Sequence, residues 1–358
     1  MKQTLARARV EIDLGALQRN GAAVARHAGV PLLPMIKADA YGLGVSAAVR
    51  ALDPLEPWGY GIATVTEGEE LRALGVTRPV VIFTPLLEHD LTRARTAKLA
   101  PTLGFPHEIE AWRRIGGGPW HLSIDTGMSR AGIPWREVGD IAQLVALAPP
   151  DGAFTHFHSA ELDDGSQEVQ EKRFREAIAS LPSRPRILHA DNSAAIARRG
   201  RSEWDLVRPG IFLYGVGSGR SAAIQPEPVV HLRAPIVEIR KVEAGDTVSY
   251  DATARLERSA RIATLAVGYA DGYPRSLGNN GVVLVGGTIA PITGMVTMDM
   301  TMIDVTTVKC DVGEIATLIG RSGDTVLTVE RVADDASMSP YELLTGLRSR
   351  VERSYVGA

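Results

Sequence analysis

Residues 32–44 read Leu32-Leu33-Pro34-Met35-Ile36-Lys37-Ala38-Asp39-Ala40-Tyr41-Gly42-Leu43-Gly44, an apolar run that ends on a lysine and passes straight into a glycine-rich turn. An ammonium group delivered that way loses hydration, which lowers its pKa and prepares the amine as a nucleophile able to form an imine. The other lysines, Lys2, Lys98, Lys172, Lys241 and Lys309, lie in polar or turn-like surroundings. Lys37 therefore stands apart within its own chain.

The same pattern, a short apolar run followed by a helix-period segment, recurs downstream. The runs span 32–37, 59–64, 79–84, 98–103, 120–125, 152–157, 186–190 and 204–208, and the segments between them include 135–148 and 167–181. Strand and helix alternating eight times argue for parallel strands, and over this length for a closed (β/α)₈ TIM-like barrel rather than an open sheet. Composition changes at 216–228, where Gly, Ser and Pro read as a linker. Beyond it, period-two or β-branched stretches at 235–242, 261–267, 282–285, 301–305 and 314–319, separated by turns such as Ala244-Gly245-Asp246, predict a mostly β domain, and 340–350 predicts a closing helix. The expected division of this α/β chain is a barrel over 13–220 and a β domain over 221–358, with residues 1–12 holding a strand, Leu5 to Ile12, that pairs with the second domain.

A chain of 358 residues, 45% apolar with a formal charge of -3, has no electrostatic footprint for nucleic acid or an anionic membrane, which favours small-molecule chemistry. Cys310 is the single cysteine, so there is no internal disulfide and no cysteine-based metal cluster, and no metal site is expected. The N-terminal stretch lacks a signal-peptide core and no segment has the length of a membrane span, so a cytoplasmic protein is expected.

Reactive groups of a barrel lie where strands end. Lys37 ends the first run, Asp125 and Arg130 follow the fifth, His156 ends the sixth, Asn192 and Ser193 follow the seventh, and Arg208 and Gly210 end the eighth. Asn192-Ser193 open a helix whose positive end suits an anion, and Gly210-Ile211 let the backbone approach closely, which together suggest a phosphate grip. An imine-forming lysine beside a phosphate grip points to pyridoxal phosphate, although a phosphosugar aldolase would need both features as well.

Around Lys37 the sequence resembles the pyridoxal-attachment motif of the alanine racemase family. The resemblance continues through Leu122 to Arg130, Thr155-His156-Phe157, His189 to Ala195, Asp205 to Ile211, Val248-Ser249-Tyr250, Gly268 to Arg275, Met298-Asp299-Met300 and Arg350 to Tyr355. So many segments in order make it specific. It implies a homodimer with shared active sites, supplying D-alanine for the cell wall. Lys37 would hold pyridoxal phosphate and act on one face of the substrate, and Tyr250 of the partner subunit on the other. Tyr41, Asn192, Ser193, Gly210, Ile211 and Tyr355 would hold the phosphate, Arg130 and the Met298 backbone the substrate carboxylate, and His156 would link Tyr250 to Arg208. Racemisation removes a proton from one face of a carbon and returns one to the other, so two groups must face each other. Arg208 would face the pyridine nitrogen, and because guanidinium stays protonated that nitrogen would stay unprotonated. The related decarboxylases place a carboxylate there, so arginine favours a racemase over a decarboxylase. A non-catalytic pyridoxal-phosphate binding protein would lack the second domain and its tyrosine.

Three positions depart from the family pattern. Ser123 stands where many members carry a carbamylated lysine beside the carboxylate-binding arginine, so Arg130 is expected to rely on a bound anion such as chloride, on a nearby carboxylate, or to be held less firmly. Asp251 replaces the usual glycine after Tyr250, and Met295 replaces a frequent arginine of the substrate entrance. Alanine is the default substrate, with serine or a broader set of amino acids as the alternative.

Overall fold

The computed structural model describes residues 6–219 and 221–357. Leu5, at the start of the expected opening strand, and Arg220, inside the expected linker, lie outside the described residues.

Parallel strands Tyr60–Ile62, Val80–Ile82, Ala100–Leu103, His121–Asp125, Gly152–Phe154 and Ile187–His189 follow one another in that order. Ile133–Pro134 is a two-residue appendage on the edge of His121–Asp125. The ring is closed by the first and eighth runs of the sequence pattern. Gly61 N–H donates to Pro34 O at 2.9 Å and Ile36 N–H to Gly61 O at 2.9 Å. On the other side Leu33 N–H reaches Val207 O at 2.8 Å and Met35 N–H reaches Pro209 O at 2.8 Å, and Arg208 N–H meets Asp191 O at 2.9 Å. These two runs pair through isolated bridges because Pro34 and Pro209 have no N–H to offer a ladder.

Helices cover the barrel with ends set by local chemistry. Leu14–Ala28 starts where Asp13 Oδ1 accepts from Ala16 N–H at 2.8 Å and stops at Gly29, whose φ of 67° is the left-handed cap that glycine tolerates. The segment expected to be one helix over 135–148 is instead a tighter 3₁₀ run, Trp135–Ile141, continued by Ala142–Leu147; Pro134 before it and Gly139 within it weaken the α-helical start.

The second domain is built on one long strand, Val230–Val242, which pairs with Ile315–Ser322, Ala260–Leu265 and, antiparallel, with the N-terminal strand Arg9–Asp13. Arg9–Asp13 also runs parallel to the last strand, Glu352–Val356. Both ends of the described chain thus lie in the β domain. The expected closing helix stops at Thr345, where Gly346 follows, leaving Arg350 in a loop and Tyr355 on an edge strand.

Candidate active site

Lys37 leaves the first barrel strand at its C-terminal end, and the backbone then does something rare. Ala38, Asp39, Ala40 and Tyr41 take φ values of 53°, 53°, 53° and 59°, a full left-handed turn without glycine. Each such residue costs about 1–2 kcal/mol, so the surroundings have to hold the turn. Glu67 does much of this: Oε1 accepts from Ala38 N–H at 2.8 Å, and Oε2 accepts from Ala63 N–H at 2.7 Å and Thr64 N–H at 3.1 Å. Asp39 closes the far side, its Oδ1 taking Val45 N–H at 2.7 Å and its carbonyl taking Gly44 N–H at 2.9 Å.

The reversed hand drops Tyr41 into the barrel mouth. Its ring lies 4.6 Å from that of Tyr214, whose hydroxyl donates to Met35 O at 2.9 Å. Burial holds the Tyr41 hydroxyl well above the ordinary phenol range, so it is a proton donor. A side chain at Gly210 would collide with it, since a Cβ there would sit 2.4 Å from the Tyr41 hydroxyl oxygen; the glycine makes the close approach possible.

A rim cavity of about 330 Å³ is lined by Lys37, Tyr41, Arg130, His156, Asn192, Ser193, Arg208, Gly210 and Ile211, together with Ser123 and Tyr341. At one end Ser193 Oγ accepts from Gly210 N–H at 2.8 Å and Phe212 N–H at 3.4 Å, which leaves its own hydroxyl proton free to donate. Asn192 is partly occupied as the helix cap: its Oδ1 takes Ala195 N–H at 3.1 Å and its Nδ2 donates to Phe157 O at 3.3 Å, which leaves one amide N–H and the backbone beside it for an anion.

Arg208, 3% exposed, is fixed from several directions. It donates to the carbonyls of His189 at 2.7 Å, Thr155 at 2.7 Å and Ala190 at 3.0 Å, to His189 Nδ1 at 2.9 Å and to His156 Nδ1 at 3.4 Å. Burial pushes its guanidinium down to about 9, still protonated at neutral pH. Desolvation first, then the charge of Arg208, pushes His156 down to about 3, so the ring is neutral with its proton on Nε2. Burial and the charge of Arg130 lower the Lys37 amine, against an opposing pull from Glu67. Arg130 itself makes no salt bridge and no side-chain hydrogen bond among the described residues, and the nearby Asp125 is occupied by the N–H groups of Gly127, Met128 and Ser129.

Three sequence candidates lie outside this cavity. Tyr250 is 67% exposed on the β domain and Met298 is 51% exposed. Tyr355 points its hydroxyl at Leu43 O, 3.1 Å away, behind the left-handed turn, where a Cβ on Gly44 would clash with it at 2.0 Å. The motifs at 268–275, 298–300 and 350–355 share one anchor. Asp271, 2% exposed, meets Arg350 at 2.7 Å and Arg7 at 3.1 Å, and Arg350 also reaches Asp299 at 2.7 Å. Burial works against the Asp271 carboxylate, yet the Arg350 contact holds it below the usual range.

Sequence reasoning missed Glu67, His189, His121 and Tyr341. Thr64-Val65-Thr66-Glu67 has capping-box spacing, which announces the helix Val65–Ala73 but gives no hint that the same carboxylate grips the turn after Lys37.

Two family models match the chain: "Alanine racemase, N-terminal domain" over residues 12–218 and "Alanine racemase, C-terminal domain" over 229–355. The alanine racemase of Halothermothrix orenii is 36% identical, over 96% of this chain and 96% of that protein. Among solved structures, alanine racemase from Bartonella henselae with covalently bound pyridoxal phosphate superposes with a TM-score of 0.92 at 28% identity, covering 98% of this chain and 100% of that one. Alanine racemase from Bacillus anthracis with bound L-Ala-P gives 0.90 at 29% identity, covering 98% and 96%.

Proposed function

The chain belongs to the alanine racemase family, which makes it an amino acid racemase, and from that premise we propose that it interconverts L-alanine and D-alanine with pyridoxal phosphate, as a cytoplasmic homodimer whose product feeds the cell wall. The observation that carries the proposal is Lys37, a partly desolvated amine at a barrel mouth that also holds a buried, multiply anchored Arg208 and a donor-rich glycine cradle.

The residues present fit the cofactor. Tyr41 and Ser193 keep hydroxyl protons to donate, and Gly210 leaves room beside them for a phosphate. When bound, pyridoxal phosphate supplies an aldehyde that joins amines and a ring that draws electrons from the neighbouring carbon. Lys37 would hold it. Arg208, protonated at neutral pH and able only to donate, would leave the ring nitrogen unprotonated, a weaker electron sink suited to quick reprotonation.

Lys37 would then move a proton at one face of the substrate Cα, and Tyr250 of the partner subunit at the other. Because His156 Nδ1 accepts from Arg208, its Nε2–H would be the donor that favours the Tyr250 phenolate. Arg130 would bind the substrate carboxylate, with the Met298 backbone from the partner's β domain beside it. Since Ser123 carries no charge and Asp125 is already engaged, a halide would steady Arg130.

The test is a polarimetric assay of L-alanine in deuterated water, with the visible absorbance of the purified protein recorded first. The expected outcome is a cofactor band together with racemisation that carries deuterium into Cα. A colourless protein after incubation with pyridoxal phosphate, or Cα exchange without racemisation, overturns the reading.

A further inference from the structure

A second cavity, of about 790 Å³, opens at the other end of the barrel, where the strands begin. It is larger than the rim cavity and within the roughly 300–1,000 Å³ range typical of small-molecule sites. Trp58, Trp112 and His121 form its apolar floor and wall, with the Trp58 and His121 rings edge to face at 5.8 Å. Cations crowd its rim. Arg72 and Arg95 are committed to backbone carbonyls and Arg186 faces Asp151 at 3.6 Å, whereas Lys98 has no carboxylate partner among the described residues.

This end of a barrel ordinarily serves stability. What distinguishes the cavity is the hydrogen-bond chain that leaves its floor and ends beneath the rim site. Arg208 can only donate, so His189 Nδ1, 2.9 Å away, accepts. The neutral His189 ring then carries its proton on Nε2 and donates to His121 Nδ1 at 2.8 Å. His121, 1% exposed and in turn protonated on Nε2, is left with an N–H that has no partner among the described residues, on a ring that lines the cavity. Phe154 stacks on His189 at 5.3 Å and Phe83 closes on it edge-on at 6.0 Å, keeping the chain dry.

We propose that this cavity is an effector site for small aromatic carboxylates, whose carboxylate accepts from His121 Nε2–H and acts through His189 on Arg208. An anion there makes His121 a stronger acceptor for His189, and His189 a stronger acceptor for Arg208, because hydrogen bonds in series polarise one another in a low-dielectric interior. Arg208 then donates less to its rim-side partner. Binding stands by itself; transmission rests on the reading of Arg208 as the pyridine partner.

Indole-3-carboxylate is the probe, titrated calorimetrically into the holoenzyme. The control variant is Gly118→Phe, because Gly118 lines the cavity and a Cβ there meets nothing within 4 Å, so a ring can be added at its wall without displacing backbone. Plugging should weaken the probe by at least about tenfold while changing alanine turnover by less than about twofold. Saturating probe should move the visible cofactor band and lower turnover, whereas 3-methylindole, which has the ring but no carboxylate, should occupy the cavity without moving the band. No heat with the probe, or equal affinity in Gly118→Phe, overturns the site. An unmoved band, or an equal shift with 3-methylindole, overturns transmission through His121. A protein with no cofactor band at all would sink the racemase reading and leave the calorimetry standing.

Discussion

The barrel rim and the exposed edge of the β domain carry chemistry in opposite ways. At the rim the anchoring side chains have partners within their own chain: Arg208 is buried among carbonyls and two histidines, and Ser193 accepts two backbone amides, with Arg130 the exception. At the edge Tyr250, Met298, Met300 and Tyr269 are 67%, 51%, 46% and 40% exposed. Ser249, Asp251 and Ala252 nevertheless hold left-handed φ values of 69°, 62° and 49°, a strained presentation that leaves Tyr250 exposed. The difference teaches that most of the rim is set by folding alone, whereas the edge makes sense as one half of something a second surface completes.

The sharpest way to break that comparison is to disable each half separately. Lys37→Ala should remove both racemisation and the visible band. Tyr250→Phe should keep the band and lose about 10²–10⁴-fold in turnover, the usual contribution of a positioned acid or base. Mixing the two inactive variants under conditions that exchange subunits should regenerate about a quarter of the wild-type activity, because half of the dimers are hybrids and each hybrid carries one intact site. If mixing restores nothing, the tyrosine does not act across subunits.

Acid should strike the barrel rather than the β-domain edge. His121 and His156 are pushed down to about 3 and His189 well below its ordinary value, all mainly by burial. Unfolded, each titrates near 6.5, so between these values the unfolded chain binds more protons and folding is penalised. Stability is complete above about pH 6.5 and falls as pH drops, by about 1.4 kcal/mol per unit for each ring that must stay neutral. Denaturant midpoints at pH 7 and pH 5 measure this, and His121→Phe should flatten the slope; an unchanged slope would mean the ring is not held neutral by the fold.

Glu67 gives a smaller effect of the same kind. In Glu67→Ala the amides of Ala38, Ala63 and Thr64 lose their acceptor, and the left-handed turn loses its clamp. A loss of about 1–3 kcal/mol in unfolding free energy is expected, with KM for alanine rising because Lys37 is no longer aimed. Wild-type stability in this variant would show that the turn holds itself.

How much of this was legible follows from how far apart the deciding residues are. The barrel could be read because each strand is buried on both faces and declares itself as a local apolar run. The rim candidates from Lys37 to Gly210 followed from their place at strand ends, and the cavity gathers them. The left-handed turn could not be read, since Ala38-Asp39-Ala40 favours a right-handed helix and the opposing grip comes from Glu67, 29 positions away. His121 and His189 sit 68 positions apart, each unremarkable until the barrel brings their rings to 2.8 Å. Glu352–Val356 was missed as a strand because, lying at a sheet edge beside Arg9–Asp13, it has no apolar face to announce it.

Asp251 carries the smallest effect and refines the edge most finely. A glycine would adopt its φ of 62° without strain, but aspartate is among the residues that tolerate this region, so the exchange costs the fold little. Electrostatically, a carboxylate next to Tyr250 opposes a phenolate. Here it faces Arg275 at 3.9 Å, with both side chains largely exposed, so most of its field is met by a cation and by water. Asp251→Asn keeps the shape and removes the charge, and should raise turnover by less than about threefold. A fall in turnover instead would mean that Asp251 assists the tyrosine, which places the carboxylate on the working side of the edge.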